Sequence, residues 1–570
     1  MEFINRESLK SLNIPEITEK IRPCSEVGKR LKGAAKPFLT GKEEELREEY
    51  ARIRTLMEKI TEQRSFYPAL SASLAKIENI RQTFKKAVET EILEPTDIFE
   101  IKSFLYYYER IRGQLEKYQL RQLVKLDSFS ELYNYLDPEN QNVPTFQISS
   151  KYSPRLGSLR IKFSELRNRI RLLENDCLEL AKKDLELNSI EKQVVVSRLD
   201  KKMRQKLDFS EWFTLSEENF ANITFSFRQP EEIIRLEGEL SVLKQKIEEA
   251  ELVVRREITA KIARRGHDLI TGLNEIAKLD YLVARADFGC RIGGIIPEIR
   301  EAKELQDGLP ESEIKFLRSV NLFIKEQLSL CKIDYQPVDI DFRNKLNIIT
   351  GANMAGKSTI LKTAGQLFLL AAYAIPLPCK EGKLPLVDFI FYSSDNETSN
   401  RTDLSSFASE LIGLKNALKK PGKGLFLIDE FARGTNPQEG EAFARAVLEV
   451  FIDRNSLVVS ATHFSSPSQI AQAGHYRVTG LTKNDYAKLQ ETFKPFAPEK
   501  TQDETADRED LKKRLQELHK YMNYQIESVE SSNIPPRTAL MIAEVLGVDE
   551  EIIRKVKKSM KRGATVSDKE

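Results

Sequence analysis

Cysteine is scarce in this 570-residue chain, and the little there is lies scattered. Cys24, Cys177, Cys290, Cys331 and Cys379 form no CxxC pair and no Cys/His ligand spacing, which argues against a disulfide frame or a structural zinc site. An excess of charge of either sign is also lacking. Lys plus Arg number 89 and Asp plus Glu 87, so a nucleic acid or an acidic lipid can be attracted only by local patches. Long hydrophobic runs are missing too. The start MEFINRESLK is charged from its second residue, and the run LFLLAAYAI is too short for a bilayer core of about 30 Å. The expectation is a soluble, cytoplasmic protein with no membrane partner, divided into roughly three or four domains.

What is there is helical first. Segments such as EEELREEYARIRTLMEKI carry apolar residues at helical spacing, and glycine is rare up to about residue 145, so 1–145 is expected to be a helical core. The stretch YLDPENQNVPTFQISSKYSPRLG collects proline, asparagine and serine and marks a break. Beyond it Leu156, Leu159, Phe163, Leu166, Ile170 and Leu173 form the apolar face of a second long helix. Pro230 precedes Glu231 and Glu232, and from Ile233 to Ile276 apolar residues keep the same period with no further proline before Pro297. A single helix there would be roughly 70 to 80 Å long. Residues 146–300 thus read as an arm that goes out, turns at a small tip (about 188–230) and returns; a helical bundle or simple coiled coil fits the same periodicity.

After Pro297 short apolar strands, LNIIT, VDFIFYS, GLFLIDE and SLVVSAT, alternate with helical segments. That alternation predicts a parallel sheet covered on both faces, with function at the carboxyl ends of its strands. The whole is a mixed fold: all-α core and lever arms joined to an α/β P-loop domain.

The stretch TGANMAGKST follows LNIIT, and Gly351 through Ser358 satisfies G-x-x-x-x-G-K-[ST] in a strand-loop-helix context. Such a loop turns backbone N–H groups inward as a nest for phosphates, with Lys357 a point charge for the β and γ phosphates and Ser358 a hydroxyl for Mg²⁺. GLFLIDE supplies the complementary acids: Asp429 for the Mg²⁺ shell, and Glu430 to orient or deprotonate the attacking water. SLVVSATHF ends at His463, which is ordinarily just a satisfied polar residue but here is placed to sense the γ-phosphate.

With DLSSFASEL and LIDEFARGTNPQEG added, these motifs resemble the MutS ATPases, whose loop typically carries Asn-Met, here Asn353 and Met354. LNEIAKLDYLVARADFG is similar to the end of the MutS lever, and PRTALMIAEVLGVDEEIIRKVKKSM to the helical pair that closes the MutS core. The resemblance implies an ABC-type ATPase domain over 301–535, interrupted by an insertion at about 483–520, and a helical dimerisation segment over 536–570. It implies ATP and Mg²⁺ as cofactors, bound by Gly351, Asn353, Met354, Gly356, Lys357, Ser358 and Thr359, with Asp429 and Ser358 on the metal and Glu430 and His463 catalytic. It also implies a homodimer in which Ser405 and Ser406 of one copy contact the nucleotide of the other; the plain reading of LSSF is a serine-capped helix start. The tripeptide Phe-Ser-Glu at Phe129, Phe163 and Phe209 is too common to be a mismatch-reading wedge. The expected relative is the shorter bacterial branch, without mismatch-reading and connector domains and here without a terminal nuclease domain.

Two functions remain in view. Arg155, Arg160, Lys162, Arg167 and Arg169, with Lys201, Lys202 and Arg204 near the tip, suit the phosphates of double-stranded or branched DNA. That is a mismatch-repair-family or recombination-related DNA-binding ATPase. The alternative is the same ATPase remodelling a protein partner, with those cations merely solvated.

Overall fold

The computed structural model describes residues 2–89, 91–187, 189–301, 314–351, 356–393, 406–492, 514, 518, 520–529, 539–546 and 548–564. Asn353, Met354 and Ser405 lie outside the described residues, as does the side chain of Ser406. The chain groups into two compact units, one of Met1–Cys24, Gly28–Ser71 and Lys278–Glu570, the other of Ser25–Val27 and Ala72–Ala277. Residues of the segment 1–145 occur in both units.

In the unit built on Ala72–Ala277, helices Pro154–Asp184 and Glu231–Ala263 run to about 50 Å each. They meet through Ile170, Ile233 and Leu236, flanked by Leu166, Leu173 and Leu240, the apolar positions that the periodicity selects. Between them, β1 (Gln193–Ser197), β2 (Phe213–Glu218) and β3 (Asn222–Phe227) form an antiparallel sheet in the order β1-β3-β2. Its inward alternate residues Val196, Ile223, Phe225 and Phe227 share a core with Ala181, Leu185 and Leu207. The single returning helix expected from Pro230 toward Pro297 is in fact two, Glu231–Ala263 and Gly266–Ile292. The first closes with the Arg265 N–H donating to the Ile262 carbonyl at 3.0 Å. Periodicity continues across the break because both helices bury the same stripe. A Cβ at Gly266 would stand 2.3 Å from Val88 Cγ2, so the exposed Val88 side chain would have to shift.

The other unit holds two sheets. Strands β4 (Glu298–Arg300), β5 (Ile314–Ser319) and β6 (Val338–Phe342) join β8 (Glu381–Pro385) in the order β4-β8-β5-β6. The larger sheet takes β7 (Leu346–Thr350), β9 (Phe389–Ser393), β10 (Gly424–Asp429), β11 (Leu457–Ala461), β12 (Gly474–Gly480) and β13 (Asn523–Ser528). Its order is β13-β12-β7-β11-β10-β9, with every pair parallel except β12 with β13. All four strands named from the sequence are present in it. Strands β10 and β11 are buried along their whole length, as parallel strands covered on both faces must be.

The helix Lys357–Ala372 is apolar nearly all round and buried to match. The residues before Cys24 join this unit: the Ile390 N–H donates to the Phe3 carbonyl at 2.8 Å, and Gln366 Nε2 to the Leu12 carbonyl at 2.8 Å. Of the stretch expected as an insertion, Lys483–Thr492 is a helix with Leu489 fully buried, and 493–513 lie outside the described residues. Among the described residues no helix is long and apolar enough to cross a membrane.

Candidate functional site

Three strand ends stand level at the mouth of the six-stranded sheet. Asp429, the last residue of β10, is in register with Ala461 of β11, and Ala461 with Ile349 of β7. The ladder runs on beyond them, with the Glu430 N–H donating to the Ala461 carbonyl at 2.9 Å and the Thr462 N–H to the Ile349 carbonyl at 3.0 Å. With β11 between them, the glycine loop after β7 and the acids after β10 are two interstrand spacings apart, about 10 Å. Lys357, heading its helix, spans that gap. Its Nζ donates to the Gly351 carbonyl at 2.8 Å and lies 3.5 Å from Glu430 Oε1.

Both ends of the loop need glycine. Gly351 has φ 147° and Gly356 φ 96°, conformations that a side chain disfavours, and a Cβ on Gly356 would meet Tyr524 Cδ1 at 2.8 Å. Glu430 and Ala432 adopt φ 51° and 64°, which costs on the order of 1 kcal/mol or more each without glycine's freedom. The turn is held in that form from outside. The Ala432 N–H donates to the buried Glu410 Oε2 at 3.1 Å, and Arg433 Nη1 donates to Glu430 Oε2 at 2.9 Å.

Charge is buried here without full compensation. Burial pushes the Lys357 ammonium below the ordinary lysine range, against the pull of Glu430 and Asp429. Burial likewise pushes Asp429 above the ordinary carboxylate range, and a hydrogen bond with the Ser358 hydroxyl works the other way. Asp429 Oδ1 is buried and has no hydrogen-bond partner among the described residues.

A cavity of about 430 Å³ opens over these groups. Gly356, Lys357, Ser358, Thr359, Glu430 and Arg433 line it together with the apolar or aromatic Ile324, Leu328, Tyr335, Val338, Ile360 and Tyr524, and Asp334 and Gln336 flank Tyr335. Such a mixed lining suits a ligand with an ionic end and a flat apolar end. Sequence reasoning picked out Gly356, Lys357, Ser358, Thr359 and Glu430 and missed Arg433 and the rest of the lining. Tyr335 and Tyr524 belong to no motif, and Tyr524 reaches the loop only because β13 pairs with β12, beside β7. Glu410 was also missed; it lies four residues after Ser406, which was read as a helix cap or as a contact to the nucleotide of the other copy.

His463 sits two residues past β11, exposed, with its ring centroid 4.3 Å from that of Phe464, and does not line the cavity. Several of the arm cations are already engaged. Arg160 Nη2 meets Glu251 at 2.6 Å and its Nη1 donates to the Ile148 carbonyl, Arg169 meets Glu232 at 3.1 Å, and Arg204 meets Asp208 at 3.3 Å. Arg155, Lys162, Arg167, Lys201 and Lys202 are exposed and have no ion pair among the described residues.

A strand, a glycine-ended loop and a buried helix led by lysine, beside a strand ending in two acids, define the P-loop class of α/β protein. Residues 347–562 match the family model described as MutS domain V. The chain is similar to the protein named Endonuclease MutS2 from Caldanaerobacter subterraneus, 24% identical over 489 residues, and from Thermotoga maritima, 24% identical over 482 residues. It is 26% identical over 462 residues to the one from Aquifex aeolicus. These alignments cover 83%, 82% and 78% of this chain and 58%, 58% and 57% of the relatives, so the chain spans less than two thirds of their length. What the comparisons share is the MutS domain V match over residues 347–562 and a likeness to MutS2 proteins along most of the chain.

Proposed function

We propose that this chain is a DNA-binding ATPase that hydrolyses ATP in a site composed from two copies and uses the cycle to move its arms on DNA. The observation that carries the reading is the Lys357 ammonium, buried against the Gly351 carbonyl beside the unpartnered carboxylate oxygen of Asp429. Lys357 holds the β and γ phosphates, the loop from Gly351 through Asn353 and Met354 to Gly356 cradles them, and Thr359 closes the cradle. The adenine end rests on the apolar part of the lining, against Tyr335 and Tyr524.

Asp429 and Ser358 fit Mg²⁺: a buried oxygen with a vacant lone pair and an adjacent hydroxyl supply the few protein ligands this ion takes beside water and phosphate. The ion would neutralise charge on the phosphate oxygens. Glu430 orients or deprotonates the attacking water. In the nucleotide-free chain its carboxylate is shared between Lys357 and Arg433, so phosphate arriving at Lys357 leaves it to the water and Arg433. His463 approaches the γ-phosphate from the end of β11, and Ser405 and Ser406 reach the nucleotide of the second copy.

A second copy is supported by the helix Glu550–Ala564, which exposes Ile552 and Val556 on one face. Coupling to the arms has a covalent route, because the helix Gly266–Ile292 has residues in both units. In this reading the four segments 1–145, 146–300, 301–535 and 536–570 act as core, arms, motor and dimerisation segment.

Lys357→Ala is expected to abolish nucleotide binding, and Glu430→Ala to keep ATP bound while hydrolysis falls about a hundredfold or more. Equal loss of binding in both variants would remove Glu430 from its role. The ion pairs on Arg160, Arg169 and Arg204 favour the second reading, remodelling of a protein partner. Titration with homoduplex and branched DNA across salt concentrations decides, since absence of binding even at low salt removes the DNA reading.

A further inference from the structure

The end of the three-stranded sheet carries two large apolar side chains that the fold does not use. Phe220, in the β2–β3 turn, is 98% exposed and Leu199, after β1, is 91% exposed. The local core is complete without them: Phe213, Phe225, Phe227, Ile223 and Val196 are all buried beneath the sheet. Nor are they on slack chain. Asn219 Oδ1 accepts from the N–H groups of Ala221 at 3.1 Å and Asn222 at 2.8 Å, which fixes the turn that presents Phe220. The Arg198 N–H donates to the Ala221 carbonyl at 3.0 Å, so the loop bearing Leu199 is tied to the same turn. Asp200 Oδ1 accepts from the Met203 N–H at 3.0 Å and caps the helix Lys201–Asp208, whose first two residues, Lys201 and Lys202, are exposed and have no ion pair among the described residues.

An aromatic ring and a leucine in water, held rigidly beside two uncommitted ammonium groups, match one chemistry closely. Two side chains offer about 400 Å² at most, well short of the roughly 800 Å² per partner of a stable protein interface. They are of the right size to stack on or wedge against a nucleic-acid base, while the lysines take the flanking phosphates. Within an intact duplex such entry costs unstacking energy; at a branch point or bulge the bases are already free.

We infer that this tip is a base-stacking wedge, with Phe220 and Leu199 engaging unstacked bases of branched or bulged DNA and Lys201 and Lys202 gripping the adjoining phosphates. The inference rests on the DNA-binding reading above and adds to it which structure is preferred, and through which residues.

The test uses the full chain and two fluorescent probes, a homoduplex and the same duplex with a short bulge containing 2-aminopurine. The double variant Leu199→Ser, Phe220→Ser removes only exposed atoms; it is expected to lose about tenfold in affinity for the bulged probe, leave homoduplex affinity unchanged, and abolish the change in 2-aminopurine emission that the unmodified chain produces. Phe220→Trp is expected to restore that change. Lys201→Ala with Lys202→Ala is expected to weaken both probes alike and reduce the salt dependence by about two counterions. If the double variant binds the bulge as tightly as the unmodified chain, or loses both probes equally, the wedge is overturned and the DNA reading stands. If the unmodified chain binds neither probe at low salt, both fall.

Discussion

Lys102 and Asp137 are buried in the unit built on Ala72–Ala277, and they pair at 2.9 Å while the second oxygen of Asp137 accepts from the Asn142 N–H at 2.8 Å. Asp429 is comparably buried at the mouth of the six-stranded sheet, yet its Oδ1 has no partner among the described residues, and the turn that follows holds two non-glycine residues at positive φ. Burial raises the proton affinity of both carboxylates. At Asp137 the Lys102 ammonium and the backbone N–H groups of Asn142 and Gln141 outweigh it, so the group stays below the ordinary carboxylate range; at Asp429 burial prevails. A buried charge that only has to be stable is surrounded. On the proposed reading Asp429 keeps a lone pair open for the metal ion, and the fold carries the cost.

The sharpest way to break this contrast is Lys102→Ala. Stripping one partner from a buried pair is expected to destabilise the protein by about 3 to 5 kcal/mol at neutral pH in a denaturant titration. Because the folded form of Asp137 holds its proton less tightly than the unfolded one, the stability it contributes is fully present above the ordinary carboxylate range and is lost as pH falls through its depressed value. The penalty of Lys102→Ala should therefore shrink in acid, and a penalty that is the same at every pH would mean the pair is not what holds Asp137.

A smaller effect is expected at the loop. Gly356→Ala places a side chain at φ 96° against the Tyr524 ring, and should cost about 1 to 2 kcal/mol in thermal denaturation together with a loss of nucleotide affinity. An alanine variant as stable and as tight-binding as the original would show that the ring moves aside freely. The smallest effect has the opposite sign. Asp429→Asn, which removes the uncompensated charge, should stabilise the nucleotide-free chain by about 1 kcal/mol while hydrolysis is lost, and a destabilised variant would mean that the open oxygen carries no strain.

The legible part of this molecule was the part governed by short-range rules. Strands β7, β9, β10 and β11 were read as apolar runs, and the loop from Gly351 to Ser358 as a pattern whose glycines answer to φ rather than to neighbours. The helical faces around Ile170, Ile233 and Leu236 followed from period alone. Periodicity also misled: it carried one helix across the break before Gly266, because a stripe of apolar residues does not record where a helix ends. Strand β13 was missed because it follows a long polar stretch, and with it went Tyr524, one of the two aromatic residues lining the cavity.

Local chemistry was written along the chain: a glycine loop, a lysine and two acids at strand ends, although the turn at Glu430 also needs Glu410 to hold its conformation. Which of them meet was settled by the order of strands across the sheet, where β11 intervenes between β7 and β10 and the reach of Lys357 closes the distance to Glu430. The open oxygen of Asp429, the ring over Gly356 and the two bare apolar side chains at the arm tip have the same origin, since burial and exposure are properties of the packed whole.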